Sequence, residues 1–393
     1  MALFRRNRGR ADGDQAADGQ PKKEKGNWRK PANTAFKQQR LKAWQPILTP
    51  KTVLPALLVI GLIFAPVGGL LIWGSGLVTE ITLDYTTCEN QTASASNTSL
   101  NFVQMPHYNY RLRAGHANAP YSPPQFAFVE DTSAPVGMQR QCYIQFDVPY
   151  SLDPTVLLYY KLTNFFQNHR RYVKSIDMNQ LKGDYVSPGS LDSGDCKPIT
   201  TENGKAIYPC GLIANSVFND TYSNLTLVGS NPVTTYLWSE KGIAWPGEAK
   251  KYAATPGYSI DEIAPPPNWR VRYPSYSNST PPPNLKEDEH FQNWMRTAGL
   301  PTFTKLWGRN DNDRLEQGRY QIVAYMNYPV QSYRGTKSVV ITTVSWIGGK
   351  NPFLGWAYVA TAALFVGLAI AGTIRHVFRP RKPGDMSLLS WNR

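Results

Sequence analysis

The sequence predicts an α+β membrane protein in which two transmembrane α-helices flank a large antiparallel-β, sandwich-like ectodomain carrying short helices. Three observations point there. Two long uncharged apolar runs lie at opposite ends of the 393 residues. The excess basic charge sits beside those runs, and every cysteine and N-glycosylation acceptor lies between them.

Residues 1–52 form a basic tail. Thirteen Lys and Arg against four Asp and Glu give it +9 of the chain's +14. Residues 53–78 follow without one ionisable side chain, and residues 352–374 repeat the pattern near the other end. A helix crossing a bilayer core needs about 20 apolar residues, which each run supplies, whereas buried globular helices rarely run so far without a charge. The first run begins too deep in the chain for a removable leader and reads as a signal anchor. In it Pro66 removes a helical donor and Gly68-Gly69 loosens the next turn, so a kink or break is expected there. In the second run, residues 351–374 as a segment, Ala363, Gly367 and Ala371 recur every fourth residue, a stripe on which another helix can close. Residues 375–393 form a second basic tail of net +4. Basic flanks stay on the cytosolic side, so both termini are expected in the cytosol and residues 79–350 in the lumen or exterior.

That middle segment is nearly neutral, at about +1 over residues 79–350. The +14 is therefore a topology signal without a folded basic face, and nucleic acid drops out as a partner. An overall composition of 41% hydrophobic and 12% aromatic residues excludes wholesale disorder. The four cysteines, Cys88, Cys142, Cys196 and Cys210, fit two disulfides in an oxidising compartment, with three connectivities open. Acceptors of the form Asn-x-Ser/Thr stand at Asn90, Asn97, Asn219, Asn224 and Asn278. Cys142, Ile144, Phe146 and Val148 alternate with polar positions, as in a strand with one buried face. Segments 319–328 and 337–346 are rich in β-branched and aromatic residues, with a turn at residues 333–336. Pro265–Pro267 and Pro281–Pro283 bound a stretch that excludes a central strand. Phe291, Trp294, Met295 and Ala298 keep helical spacing, with Gly299 as the expected stop.

Catalytic chemistry finds no footing. The phosphorylated Asp-Lys-Thr-Gly of ion-pumping ATPases and the phosphate-cradling Gly-rich loop are both absent. The five histidines have no ligand spacing, and no cofactor or metal is expected. His169-Arg170-Arg171 reads as a polar cluster fixing loops, with anion binding as the alternative. Asp177, Asp184 and residues 287–289 are scattered carboxylates without an evident pair. A two-span channel-like subunit shares the topology, although the spans offer few polar pore-lining groups. A membrane-anchored ectoenzyme would need two close carboxylates in a deep pocket.

The run from Asn33 to Pro50, NTAFKQQRLKAWQPILTP, resembles a signature of the cell division control protein 50 (ligand-effect modulator) family. Similar matches follow in the family's order at residues 162–174 (LTNFFQNHRRYVK), 209–220 (PCGLIANSVFND), 294–303 (WMRTAGLPTF) and 346–355 (WIGGKNPFLG). The family comprises non-catalytic beta-subunits of type IV P-type ATPases, the phospholipid flippases. The resemblance implies a heterodimer with the catalytic alpha-subunit, needed for its folding, its export from the endoplasmic reticulum and its activity. It places the chain in endoplasmic reticulum, Golgi, endosomal or plasma membranes. It pairs Cys88 with Cys142 and Cys196 with Cys210, and marks Asn219 as a glycosylation site. Ala363, Gly367 and Ala371, together with Phe36, Lys37, Arg40 and Trp44 before the first span, are the expected pump contacts. Basic residues at the head also attract anionic membrane lipids, at about 1 kcal/mol each.

Overall fold

The computed structural model describes residues 34–42, 48–94, 99–380 and 386. The first spanning helix runs Pro50–Gly76. Proline suits its first position because the missing N–H would have no helical acceptor, and the Thr49 N–H donates to Thr52 Oγ1 at 3.3 Å. The second spanning helix runs Phe353–Phe378, with Arg375 and His376 placed favourably in its last turn. Both helices are displaced by a few residues from the apolar runs. Val78 and Thr79 are drawn into the domain instead, where the Thr343 N–H donates to the Thr79 carbonyl at 3.0 Å.

The expected break at Pro66 does not occur, and the first helix is continuous through it. The first span packs antiparallel on the second. The buried small residues of the first span are Gly61, Gly68 and Ser75, beside Gly74, and those of the second are Gly355, Ala362 and Ala369. Each set recurs every seventh residue, the repeat that keeps one seam facing a partner helix. A Cβ on Gly68 would lie 2.9 Å from the Gly355 carbonyl oxygen, and one on Gly355 would lie 2.9 Å from Ile72 N. Backbone meets backbone there.

Between the spans lies a domain built on two antiparallel sheets. The first orders β13 (Phe303–Asn310), β6 (Val156–Leu162), β15 (Lys337–Thr343), β1 (Glu80–Asp84) and β3 (Tyr108–Arg111). The second orders β11 (Thr235–Tyr236), β10 (Leu225–Leu227), β14 (Gly318–Tyr325), β5 (Arg140–Val148), β4 (Gln125–Glu130) and β2 (Val103–Gln104), with β9 (Thr221–Tyr222) also on β14. A small third sheet joins β7 (Thr201–Glu202), β8 (Lys205–Ile207) and β12 (Ile263–Ala264), the last pair parallel. One hydrophobic core joins Ile81, Leu158 and Ile341 of the first sheet to Ile144, Phe146 and Ile322 of the second. On β5 the alternation is as the sequence reads, with Cys142, Ile144, Phe146 and Val148 buried.

β1 follows the first span directly, β15 precedes the second, and the two pair from Glu80↔Thr342 to Asp84↔Ser338. This pairing brings both spans out side by side. Segments 319–328 and 337–346 do contain strands, β14 and β15, but these belong to different sheets. The turn between them, Gln331–Tyr333 followed by Arg334 at φ 55°, is a crossover. The short helix at Glu289–Met295 stops before Ala298 and Gly299. Buried Lys305 ends it, donating from Nζ to the carbonyls of Asn293 at 2.7 Å, Trp294 at 3.4 Å and Arg296. An ammonium group there satisfies carbonyls that the helix leaves without donors.

Candidate partner interface

The sequence motifs interlock loops and spans. In residues 162–174, Asn164 Nδ2 donates to the Tyr333 carbonyl at 2.6 Å and Asn168 Nδ2 to the Gly299 carbonyl at 3.0 Å. Gln167 Oε1 accepts the Ala298 N–H at 2.8 Å. Phe165 sits among Tyr172, Trp294, Phe303, Tyr328 and Tyr333, with ring centroids 5.5–6.4 Å away. Trp294, fully buried, donates from Nε1 to the Ile213 carbonyl at 2.9 Å. His169, Arg170 and Arg171 remain exposed beside this knot.

In residues 209–220, Gly211 takes φ 96°, and a Cβ there would lie 2.1 Å from the Ser175 carbonyl oxygen, so the position admits glycine alone. The adjacent Cys210 is bonded to Cys196, with Cα atoms 5.8 Å apart. Cys88 is bonded to Cys142, with Cα atoms 6.1 Å apart, tying the turn after β1 to β5. Asp220 closes the motif inside the core. Its Oδ2 accepts from Lys337 Nζ at 2.7 Å and Tyr85 Oη at 2.8 Å, and its Oδ1 accepts the Tyr328 N–H at 2.6 Å. The Lys337 and Asp220 side chains are 3% and 0% exposed. Burial and then the charge of Asp220 push the Tyr85 phenol well above its usual range, so it stays a donor. A buried charge pair needs this full set of partners to offset its lost hydration.

Residues 346–355 form the joint between domain and membrane. The Trp346 ring covers Gly74, whose Cβ would lie 3.1 Å from it. Lys350 Nζ donates to the Val78 carbonyl at 2.7 Å and the Leu112 carbonyl at 2.9 Å. Burial, followed by the charge of Arg111, lowers the pKa of Lys350. The domain is thereby fastened to the ends of both spans.

Three of the carboxylates weighed for catalysis, Asp177, Asp288 and Glu289, serve the backbone. Asp177 and Asp288 cap short helices, accepting the N–H groups of Gln180 at 2.8 Å and Phe291 at 2.9 Å. Glu289 accepts from Ile243 at 2.8 Å and Ala244 at 3.0 Å. His290 Nε2 lies 3.2 Å from Glu240 Oε2.

The predicted pump contacts remain on the surface. Phe36 is 76% exposed on the turn at residues 35–39, where the Lys37 N–H donates to Thr34 Oγ1 at 3.2 Å. Lys37 and Arg40 are exposed, and Trp44 lies outside the described residues. Ala363, Gly367 and Ala371 are exposed too, and a Cβ on Gly367 would meet nothing within 4 Å. The structure separates this stripe from the Gly355–Ala362–Ala369 seam, which sequence reasoning missed. Its signal was the matching seven-residue spacing of small residues in both spans. Among the acceptor asparagines, Asn90, Asn219, Asn224 and Asn278 are exposed, while Asn97 lies outside the described residues. Asn224 Oδ1 additionally accepts the Trp238 N–H at 2.9 Å.

Comparison with known proteins places these features in one lineage. The family model described as "LEM3 (ligand-effect modulator 3) family / CDC50 family" matches residues 71–382. "Phospholipid-transporting ATPase accessory subunit CRF1" of Saccharomyces cerevisiae is 42% identical over 363 residues, covering 92% of this chain and 89% of the relative. "Phospholipid-transporting ATPase accessory subunit CDC50" of Chaetomium thermophilum is 38% identical over 375 residues, covering 92% and 91%. "Cell cycle control protein 50A" of Bos taurus is 38% identical over 365 residues, covering 89% and 90%. With two apolar spans bracketing the β domain and a family match over most of its length, this two-pass membrane protein belongs to the LEM3/CDC50 family.

Proposed function

We propose that the chain is the non-catalytic accessory subunit of a P-type ATPase that transports phospholipids, bound to the catalytic subunit as a heterodimer. The carrying observation is that relatives named as accessory subunits of phospholipid-transporting ATPases align over about nine-tenths of both chains. Supporting it, Asp177, Asp288 and Glu289 are engaged in caps and loop ties, whereas Phe36 and the Ala363–Gly367–Ala371 stripe remain exposed.

In this reading residues 1–52 and 375–393 are cytosolic, the two spans cross the bilayer, and residues 79–350 form a glycosylated lumenal or extracellular domain. The subunit contributes no chemistry of its own. It binds the folded pump, which stabilises the pump by mass action and favours its export from the endoplasmic reticulum. It also shifts the pump's conformational equilibrium by the difference in its affinity for the alternating states. Three surfaces make the contact: the domain over the pump's lumenal loops, the Ala363–Gly367–Ala371 face against its membrane helices, and residues 36–44 along its cytosolic side. Affinity purification of the tagged chain from detergent-solubilised membranes tests the proposal. An equimolar P-type ATPase in the eluate is expected, and a chain that elutes alone under gentle detergent overturns it.

A further inference from the structure

The domain holds a cleft of about 750 Å³ with Asn219 on its wall. This lies within the roughly 300–1,000 Å³ typical of built ligand sites. Its lining is amphipathic. Trp269, Tyr273 and Trp307 provide aromatic surface, and Asn268, Asn284 and Glu287 provide amide and carboxylate groups. Aromatic rings against the apolar faces of a pyranose, with amides and carboxylates for its hydroxyls, form a surface suited to carbohydrate.

The position of Asn219 supplies the second observation. It is an exposed acceptor in Asn219-Asp220-Thr221, and it stands on the cleft wall. Its neighbour Asp220 is locked inward by Lys337, Tyr85 and the Tyr328 N–H. The Asn219 carbonyl is further held by Asn327 Nδ2 at 3.3 Å. A glycan attached there has a fixed root beside an amphipathic hollow. The Asn224 and Asn278 acceptors do not line that cleft.

We infer that the cleft is a carbohydrate-binding site whose occupant is the core of the chain's own Asn219-linked glycan. The inference rests on the lumenal, glycosylated placement proposed above. The bound sugars bridge β9 to the segment around residues 268–273 and to the helix Glu289–Met295, three parts of the fold that line one hollow. The glycan then acts as an internal strut, not as a solvated surface tag.

The test is site-resolved deglycosylation of the full chain purified in detergent. An endoglycosidase cutting within the N-acetylglucosamine core is applied to the folded and the denatured chain, and occupancy is followed by peptide mass spectrometry. At Asn219 cleavage is expected to be about tenfold slower in the folded chain, because it proceeds from the minority state in which the sugars have left the cleft. Asn224 and Asn278, where occupied, should show no such protection. Asn268→Trp, which fills the cleft from an exposed position, should abolish the protection at Asn219 while thermal melting reports that the fold persists. The comparison of folded with denatured wild-type chain needs no variant and decides the matter if Asn268→Trp does not fold. An unoccupied Asn219, equal rates in folded and denatured chain, or protection that survives in folded Asn268→Trp overturns the inference. None of these readouts depends on a bound ATPase, so failure of the subunit reading would be seen separately, in affinity purification.

Discussion

Asp220→Asn isolates the buried charge in the core without disturbing the Asn219 acceptor, since the middle residue of that triplet is free to vary. In the wild type, Asp220 Oδ2 faces two donors, Lys337 Nζ at 2.7 Å and Tyr85 Oη at 2.8 Å. Its Oδ1 faces the backbone N–H groups of Asn327 and Tyr328. An asparagine can satisfy one pair with its carbonyl, but its NH₂ must then oppose either the two backbone N–H groups or the Lys337 ammonium. Lys337, 3% exposed, would lose the carboxylate that faces it and keep its bond to the Tyr328 carbonyl at 2.8 Å. Leaving one member of a buried pair uncompensated costs about 3–5 kcal/mol. For a domain of this size 1 kcal/mol corresponds to about 2–4 °C, so the midpoint should fall by roughly 10 °C.

The assay is thermal unfolding of the detergent-purified chain by tryptophan fluorescence, with a denaturant series to obtain the free energy. Lys337→Met should cost less, because the Asp220 carboxylate retains Tyr85 Oη and two backbone donors. Asp220→Asn combined with Lys337→Met should be more stable than Asp220→Asn alone, because the stranded charge is gone. The reasoning is refuted if Asp220→Asn stays within about 1 kcal/mol of the wild type, less than the cost of a single unsatisfied buried group. It is equally refuted if the double variant is no better than Asp220→Asn.

Other expectations concern the spans, a buried lysine and the smaller disulfide loop. Gly68→Leu should separate the two spans and lower the yield of folded chain, because its Cβ would lie 2.9 Å from the Gly355 oxygen. Gly367→Leu should leave the chain's own melting temperature unchanged, since its Cβ meets nothing within 4 Å, while reducing recovery of the ATPase complex. Full recovery would remove that face from the proposed contact. Burial, helped by Arg296, pulls the Lys305 pKa down to about 8. The unfolded chain holds that proton to about pH 10.4, so it binds more protons than the native state in between, and stability should rise with pH there. The gain between pH 8 and 9.5 is about 1.5 kcal/mol, measurable as a rising melting temperature. Lys305→Met should flatten that slope, and an unchanged slope would reassign it to other groups. Replacing both Cys196 and Cys210 with serine should cost about 3 kcal/mol, the chain entropy of a loop of roughly 15 residues, read by denaturant titration. Wild-type stability in that variant would show that the loop is held by its packing alone.

The sequence alone determined the two spans, the place of the charge, the oxidised middle segment and the alternation of β5. These are local properties: bilayer thickness sets the length of an apolar run, and a pleated strand sets a period of two. The family motifs were also legible, although what their residues do was not. Nothing in the order of residues 162–174 says that Asn164, Gln167 and Asn168 reach segments more than 130 positions away. The helix after Asp288 read one turn too long because its end is set by Lys305, a residue on another strand. Small residues in the spans were visible, but two stripes competed for attention. The contact between Gly68 and Gly355 picked the seven-residue seam for the chain itself and left Ala363, Gly367 and Ala371 outside. Asp220 and Lys337 lie 117 positions apart, and the Asn219 cleft gathers residues from Val136 to Asn327. Such pairings come from strands that cross between sheets, and sequence distance carries no record of them. Only the packed domain, with β1 and β15 side by side, decided which groups would be buried together and which would be left to meet a partner.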